Sequence, residues 1–324
     1  MQVIPVELFE YVDDFYLISE TANKTLKQLR IGLPTWFSKE KYNEMNVSIW
    51  VYHDETVNAF CYYKDSTNYI ALSVGLLKAF WDVAEDFANH EKLSMVFKIS
   101  GENKSHLIDS LYFYMLNFTI AHECGHIVHG HLREKSGENC IDEMLQMSNE
   151  IEGHERKARN WHTQLKEYDA DSFAVSIQSL LFLQEWSDNN RVNFANFDIM
   201  FIANYLCFQT FAEKMGRSFD AYLMKDIEEY DHPHPGIRMY YSIILYSFWI
   251  GRVRDFGEDT MAILNSGSHA VISYDKSVLE KTAIKECYYS VAFTEKGVQH
   301  IMNLHNGWQK LTDHFNRFAY ISIW

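Results

Sequence analysis

The segment from His106 to Leu132 has the apolar spacing of one long helix and is the strongest structural signal in the chain. Its second half carries histidines, whereas its first half is strongly apolar. The apolar positions are Leu111, Phe113, Met115, Leu116, Phe118 and Ile120. The histidines therefore lie near the end of a helix whose first half is expected to pack in a hydrophobic core.

The polar half of this helix contains the run His122-Glu123-Cys124-Gly125-His126. Positions four apart lie on one face of an α-helix, so His122 and His126 can direct ring nitrogens at one tetrahedral ion. Glu123 projects beside them, where a carboxylate can take a proton from a water molecule. The spacing therefore predicts a Zn²⁺ site with a general base, and a polar helix face with two histidines is the alternative.

A second helical segment offers a third ligand. Glu167 and Asp171 are again four apart, among residues with helical apolar spacing. Glu167 would complete a two-histidine, one-carboxylate site with a fourth position open, and Asp171 can accept the outer ring hydrogen of a ligating histidine. Without the histidines, a solvated acidic helix face would be the better interpretation. The weaker candidates for the third ligand are Glu150, Glu152, His154 and His162.

The order of these residues is that of a gluzincin, because a metzincin requires Gly in place of His129 and His in place of Leu132. The run from His122 to His131 resembles the HELGHxxxxH signature of the HtpX-like, CAAX-prenyl and Oma-type zinc endopeptidases, metallopeptidase family forty-eight. The run from Glu167 to Asp171 resembles the ExEAD block of that family, and His232 to Arg238 is similar to its HPxxxxR block.

This resemblance implies roles for particular residues. Glu167 matches the third zinc ligand of the family, and His232 and Arg238 match residues that we expect to stabilise the transition state, although anchoring of the helix is equally compatible with them. His129 and His131 receive no ligand role and are expected to be structural or solvated.

The resemblance extends upstream, where Asn58, Ala59 and Phe60 match the NAF strand of the family and precede a GLL helix start at Gly75. We expect the run from Asn58 to Tyr63 to be an edge strand beside the metal helix, to which an extended peptide adds through main-chain hydrogen bonds. An ordinary internal hairpin strand is the alternative.

The remaining pattern is mostly helical. It predicts strands at Val47 to His53, Asn58 to Tyr63 and Tyr69 to Val74, and helices at Glu7 to Arg30, Trp161 to Trp186, Phe197 to Met215 and Pro235 to Arg252. We therefore predict a mainly helical α+β fold, zincin-like, with a small antiparallel sheet beside the metal helix. No repeat or linker interrupts the chain, so residues 1–324 are expected to form a single metallopeptidase domain with core motifs at 57–240 and a C-terminal region, 256–324, of unassigned role.

Composition excludes some classes of function. The formal net charge of -15 would repel a phosphate backbone, which argues against nucleic acid as a partner. The first residues show no basic start followed by an apolar run, and the apolar windows are shorter than the roughly 20 residues that span a bilayer, so we expect neither export nor membrane insertion. An odd number of scattered cysteines fits reduced thiols, so a cytoplasmic location is expected. The cytosolic peptidases that resemble this chain include the phage-exclusion peptidase Lit, and a defence or regulatory role is compatible with that similarity.

The sequence thus predicts a zinc metalloendopeptidase that acts on a protein or peptide substrate, with Glu123 as the general base. The first alternative is a catalytically silent metal-binding regulator, against which Glu123 argues, because structural zinc is usually closed by four protein ligands. The second is a non-haem iron oxygenase, since two histidines and one carboxylate also form the metal triad of that class.

Overall fold

The structure is a computed structural model, and it describes residues 3–5, 16–98, 100–133, 140–142, 154–189, 194–214, 230–253, 259–282 and 288–323. Most of these residues are helical. The α-helices are α1 (Tyr16–Gly32), α2 (Lys39–Met45), α3 (Val74–Asn89), α4 (Glu91–Val96), α5 (Lys104–Val128), α6 (His154–Asn189), α7 (Phe194–Lys214), α8 (Pro235–Val253), α9 (Asp259–Thr282) and α10 (Glu295–Phe315). Short 3-10 helices cover Leu33–Trp36 and Tyr288–Phe293.

A small sheet completes the fold. Its strands are β1 (Val3–Pro5), β2 (Val47–Tyr52), β3 (Ala59–Lys64), β4 (Thr67–Ser73) and β5 (Cys140–Asp142), in the spatial order β1-β2-β4-β3-β5. Strands β3 and β4 form a tight hairpin, because Asp65 and Ser66 both adopt positive φ angles, of 48° and 61°. The prediction of a mainly helical α+β fold is confirmed.

The prediction that the sheet is antiparallel is wrong at one pairing, since β2 runs parallel to β4. The loop after β2 does not turn back along that strand but crosses the end of β4. There the Gly75 N–H donates to the Asp54 carbonyl at 2.8 Å, and the Ser73 hydroxyl donates to the Thr56 carbonyl at 2.6 Å. The chain consequently enters β3 on the far side of β4, and the sheet is mixed.

The prediction that the run from Asn58 to Tyr63 is an edge strand is also wrong. β3 pairs with β4 along its whole length and with β5 at Phe60, Cys61 and Tyr62. The backbone N–H of Asn58 donates to the Ser73 hydroxyl at 3.0 Å. The residues from Phe60 to Tyr62 are therefore paired on both sides within the chain, which leaves no free edge there for a substrate strand.

Helix α5 runs through the interior and packs mainly against α6, α7 and α3. Helices α5 and α6 are antiparallel. Gly125 near the end of α5 lies against Ala170 in the middle of α6, whereas Gln178, later in α6, donates to the carbonyl of Tyr114, earlier in α5, at 3.0 Å. This antiparallel pair brings the second half of α5 beside the middle of α6. The predicted long helix thus exists and ends at Val128 rather than Leu132.

The other predicted helices correspond to α6, α7 and α8, and the described part of the first predicted helix is α1, since residues 6–15 lie outside the described residues. None of the described helices combines the length and apolar composition that crossing a bilayer demands. Cys61, Cys124 and Cys207 are buried and form no disulfide. The side chain of Cys140 and all of Cys287 lie outside the described residues.

Candidate metal centre

Three side chains from α5 and α6 converge on one point in the interior. The ligand atoms of His122, His126 and Glu167 all lie within 4.8 Å of one another, and each residue is at most 2% exposed. The two histidines stand one helical turn apart on α5, and the glutamate faces them from α6. The trio predicted from the sequence is therefore assembled in the fold.

The separations within this trio fit a tetrahedral metal ion. The two Nε2 atoms are 3.1 Å apart, and Glu167 Oε2 and Oε1 lie 3.3 Å from His122 Nε2 and 3.4 Å from His126 Nε2. Ligands bonded at about 2.0–2.1 Å to a tetrahedral ion are separated from each other by about 3.3 Å. Neither carboxylate oxygen of Glu167 accepts a hydrogen bond from the residues that the structure describes. A cation between the three groups would satisfy these buried oxygens.

A close approach of the two helices makes this convergence possible. A Cβ atom on Gly125 would lie 2.9 Å from the Cα of Ala170 and 3.1 Å from its carbonyl oxygen, so only glycine fits at this crossing. Gly125 lies between the two histidines in sequence, and Ala170 lies between Glu167 and Asp171. The small residues thus set the distance across which the ligands meet.

The ligand His122 is oriented from behind by Asp171, as predicted. Asp171 Oδ1 lies 2.8 Å from His122 Nδ1, which leaves Nε2 of that ring facing the other ligands. Arg238 of α8 donates to both oxygens of Asp171, from Nε at 2.9 Å and from Nη2 at 2.7 Å. The hydroxyl of Tyr241 also donates to Asp171. The carboxylate is fully buried, and these donors satisfy it.

The second ligand, His126, is oriented through His131, for which the sequence predicted only a structural or solvated role. Gly130 has φ 75°, and the chain reverses there: its N–H donates to the Ile127 carbonyl at 3.1 Å, and the His131 N–H donates to the His126 carbonyl at 3.0 Å. This turn folds His131 back against the helix end, with 2.8 Å between the Nδ1 atoms of His126 and His131.

Asp169 stands behind His131 and was not predicted. Its Oδ2 atom lies 3.1 Å from His131 Nε2 and 2.6 Å from His129 Nδ1. His129, also expected to be structural, is therefore part of the same polar cluster. Gly130 is the one local signal in the sequence that could have indicated the reversal, because glycine after a helix end favours it.

Charge is distributed unevenly over the site. Burial would raise the pKa of Glu167, but the nearby His232 and the contacts with His122 and His126 hold it well below its usual range. Burial opposes a proton on His122, yet Asp171 and Glu167 raise its pKa well above the usual value. Burial lowers the pKa of His126, which has no carboxylate on its outer nitrogen. These pKa directions favour a proton on His122 and an ionised carboxylate on Glu167 when no metal is bound.

Two residues with predicted catalytic roles lie at this centre. His232 Nε2 lies 3.5 Å from Glu167 Oε2, and His232 Nδ1 lies 3.1 Å from Asp231 Oδ1. Arg238 Nη2 lies 3.8 Å from Glu167 Oε2, although its shorter contacts are with Asp171. The fold thus brings both side chains to the metal ligands, and the contacts of Arg238 are those of a residue that positions a ligand.

Glu123, the predicted base, is 1% exposed and follows His122 directly on α5. It lies about 60° around the helix axis from His126, so it flanks the face that carries the ligands. Of the weaker ligand candidates, His162 packs its ring 6.0 Å from that of Phe315. Glu150, Glu152 and the side chain of His154 lie outside the described residues.

No protein-family model matches this chain, and no curated protein or solved structure matches it either.

Proposed function

We propose that this chain is a zinc-dependent endopeptidase of the gluzincin kind that hydrolyses peptide bonds in a protein substrate. The observation that carries the proposal is the convergence of His122 Nε2, His126 Nε2 and the Glu167 carboxylate at separations of 3.1 to 3.4 Å, beside a glutamate on the same helix. Three protein ligands leave a fourth position of a tetrahedral ion open, which is the arrangement of catalytic rather than structural zinc.

His122, His126 and Glu167 would hold the ion. A zinc ion there would supply Lewis-acid polarisation of the substrate carbonyl and would lower the pKa of water. Glu123 acts as the general base, taking a proton from the attacking water and passing it to the leaving amine. Glu123 follows His122 directly on α5, so this transfer would take place beside the residues that hold the ion.

His232 and Arg238 have different tasks in this proposal. His232 contacts Glu167 and presents an imidazole that can donate to the oxyanion of the transition state. Arg238 holds Asp171 through two hydrogen bonds, and Asp171 in turn fixes the ring of His122. Arg238 therefore acts as a positioning residue, and the charge that it adds near Glu167 favours the ionised ligand.

The test separates metal binding from hydrolysis. Metal analysis of the purified chain should find one zinc per chain in the wild type and in Glu123→Gln, and much less zinc in His126→Ala. Iron in place of zinc would favour an oxygenase. Comparing the proteomes of cells that express the wild type or Glu123→Gln should reveal cleavage products only with the wild type.

The control for this comparison is Glu102→Gln, since Glu102 is an exposed glutamate just before α5. It should retain both zinc and cleavage. If Glu123→Gln retains zinc and yields the same products as the wild type, Glu123 is not the base. If zinc is bound but no product depends on the wild type, the site serves a regulator that does not turn over.

A further inference from the structure

The C-terminal part of the chain, to which the sequence assigned no role, contacts the metal centre from behind. The indole Nε1–H of Trp308 in α10 donates to Asp169 Oδ1 at 2.6 Å, across a sequence separation of 139 residues. The ring of Phe315 lies 4.8 Å from that of His131. Beyond α10, the N–H of Tyr320 donates to the Val128 carbonyl at the end of α5, at 2.7 Å.

The same segment fixes the turn that carries His131. A Cβ atom on Gly130 would lie 2.3 Å from the carbonyl group of Phe318, so the turn and the C-terminal segment are in direct contact. Arg133 donates from Nη1 to the Phe318 carbonyl at 3.1 Å, and its guanidinium lies 4.7 Å from the centre of the Tyr320 ring. The end of α5 and its turn are therefore held between α6 and the C-terminal segment.

Asp169 connects these contacts to the ligands. Its Oδ1 atom accepts from Trp308, and its Oδ2 atom faces His129 and His131. The carboxylate is fully buried, so its orientation depends on the groups that hydrogen-bond to it. With Trp308 on one oxygen, the other oxygen is held towards the two histidines.

The proton positions follow from this geometry. His131 Nε2 lies 3.1 Å from Asp169 Oδ2 in a contact that is bent away from hydrogen-bond alignment. A lone pair on this nitrogen would be repelled by the carboxylate oxygen, so Nε2 carries the ring hydrogen. His131 Nδ1 is then an acceptor, and His126 Nδ1, at 2.8 Å, must donate to it. The lone pair of His126 is consequently on Nε2, the atom that faces His122 and Glu167.

We infer that Trp308 is a positioning residue of the metal centre, acting through Asp169 and His131 to fix the ring and tautomer of His126. This inference rests on the metal site of the proposed function and adds the C-terminal helix to it. His122 receives its orientation directly from Asp171, whereas His126 receives it through two further residues and α10. Partners that orient metal ligands in this way affect metal affinity about 10- to 100-fold.

The experiment measures Zn²⁺ affinity of the full-length chain by competition with a chelator. Trp308→Phe keeps an aromatic ring but removes the N–H donor, and Asp169→Asn removes the charge that holds the proton of His131. Each should weaken Zn²⁺ binding about tenfold. Trp161→Phe is the matched control, because Trp161 and Trp308 pack against the same buried cluster and the Trp161 ring lies 5.9 Å from that of His300. The cluster consists of Leu165, Tyr168, Ile237, Tyr241, Val291 and Leu304. Trp161→Phe should bind Zn²⁺ as the wild type does.

Two further measurements separate positioning from packing. The visible absorption bands of the Co²⁺-loaded protein should shift in Trp308→Phe and not in Trp161→Phe, since these bands report ligand geometry. Urea unfolding of the metal-free proteins shows whether each variant folds. If Trp308→Phe does not fold, the Zn²⁺ affinity of Asp169→Asn tests the inference instead. Wild-type Zn²⁺ affinity in a folded Trp308→Phe or Asp169→Asn protein, or an equal loss in Trp161→Phe, would overturn the inference. A wild type that binds no Zn²⁺ would instead refute the metal site itself.

Discussion

Gly125 and Ala170 mark the place where α5 and α6 approach most tightly, with Ala170 Cα 2.9 Å from where a Cβ on Gly125 would stand. The pair lies between His122 and His126 on one helix and between Glu167 and Asp171 on the other. The distance between the ligand sets is therefore determined by two residues that have no metal-binding chemistry of their own.

Replacing Gly125 by alanine should destabilise the protein and weaken metal binding. The new methyl group gains about 1 kcal/mol of helix propensity. Overpacking in a core costs about 1–3 kcal/mol, and here it would prevail because the atoms that must move belong to the backbone of α6. We expect urea unfolding to show a net loss of about 1 kcal/mol, together with a weaker Zn²⁺ affinity.

The control for this change is Gly32→Ala. A Cβ on Gly32 would have no neighbour within 4 Å, and the residue has φ -72°, which alanine adopts readily. Its stability should be unchanged or slightly raised, by up to about 1 kcal/mol. Equal destabilisation by both substitutions would show that the helix crossing is not the cause.

Arg238 is expected to act on metal binding more than on the chemical step. Arg238→Met removes the two N–H donors of the guanidinium and its charge from the buried Asp171, although the Tyr241 hydroxyl still donates to that carboxylate. Breaking a buried ion pair in this way costs about 3–5 kcal/mol. Arg238→Lys keeps the positive charge but loses the bidentate contact with Asp171. It should therefore destabilise the protein less than Arg238→Met and still weaken Zn²⁺ binding.

Chelator competition and urea unfolding measure both effects. Arg317→Met serves as the control, because Arg317 is exposed, and it should change stability by less than about 0.5 kcal/mol. If Arg238→Lys binds Zn²⁺ as tightly as the wild type and loses only hydrolysis, Arg238 is a donor to the transition state, as its place in the sequence motif first indicated.

The convergence of the candidate ligands could be predicted because residues four apart lie on one face of a helix. Two predicted helices were enough to place His122 beside His126 and Glu167 beside Asp171. The identity of the helices followed from apolar spacing in the same segments.

The contact that orients His126 could not be predicted from helical periodicity. On a continuing helix, a residue five positions after His126 would point about 140° away from it. His131 contacts His126 only because the helix ends at Val128 and Gly130 reverses the chain. The contact between Trp308 and Asp169 spans 139 residues, and no local pattern encodes it. The parallel pairing of β2 with β4 likewise depends on the path of a loop.

Gly130→Ala should therefore weaken Zn²⁺ binding although Gly130 is not a ligand. Alanine at φ 75° costs about 1–2 kcal/mol, and its methyl group would meet the backbone of Phe318. Both effects displace His131 from His126. Gly101→Ala is the control, since a Cβ there would have no neighbour within 4 Å. Full metal affinity in Gly130→Ala would argue against any role of this turn in the site.

Zinc affinity should rise with pH because the metal competes with a proton on His122. Burial disfavours that proton, but Asp171 and Glu167 raise the pKa of His122 well above its usual value, so we expect the metal-free protein to retain it at neutral pH. Burial lowers the pKa of His126, and the pKa of Glu167 lies well below its usual range, so neither binds a competing proton there. Binding then releases one proton, and below the pKa of His122 the Kd should fall about tenfold for each unit of pH. Chelator competition between pH 6 and 8 gives this slope, and calorimetry in two buffers of different ionisation enthalpy counts the proton independently. A Kd that is constant over this range, with no proton released, would mean that His122 is already neutral in the metal-free protein and that Asp171 orients its ring without raising its pKa.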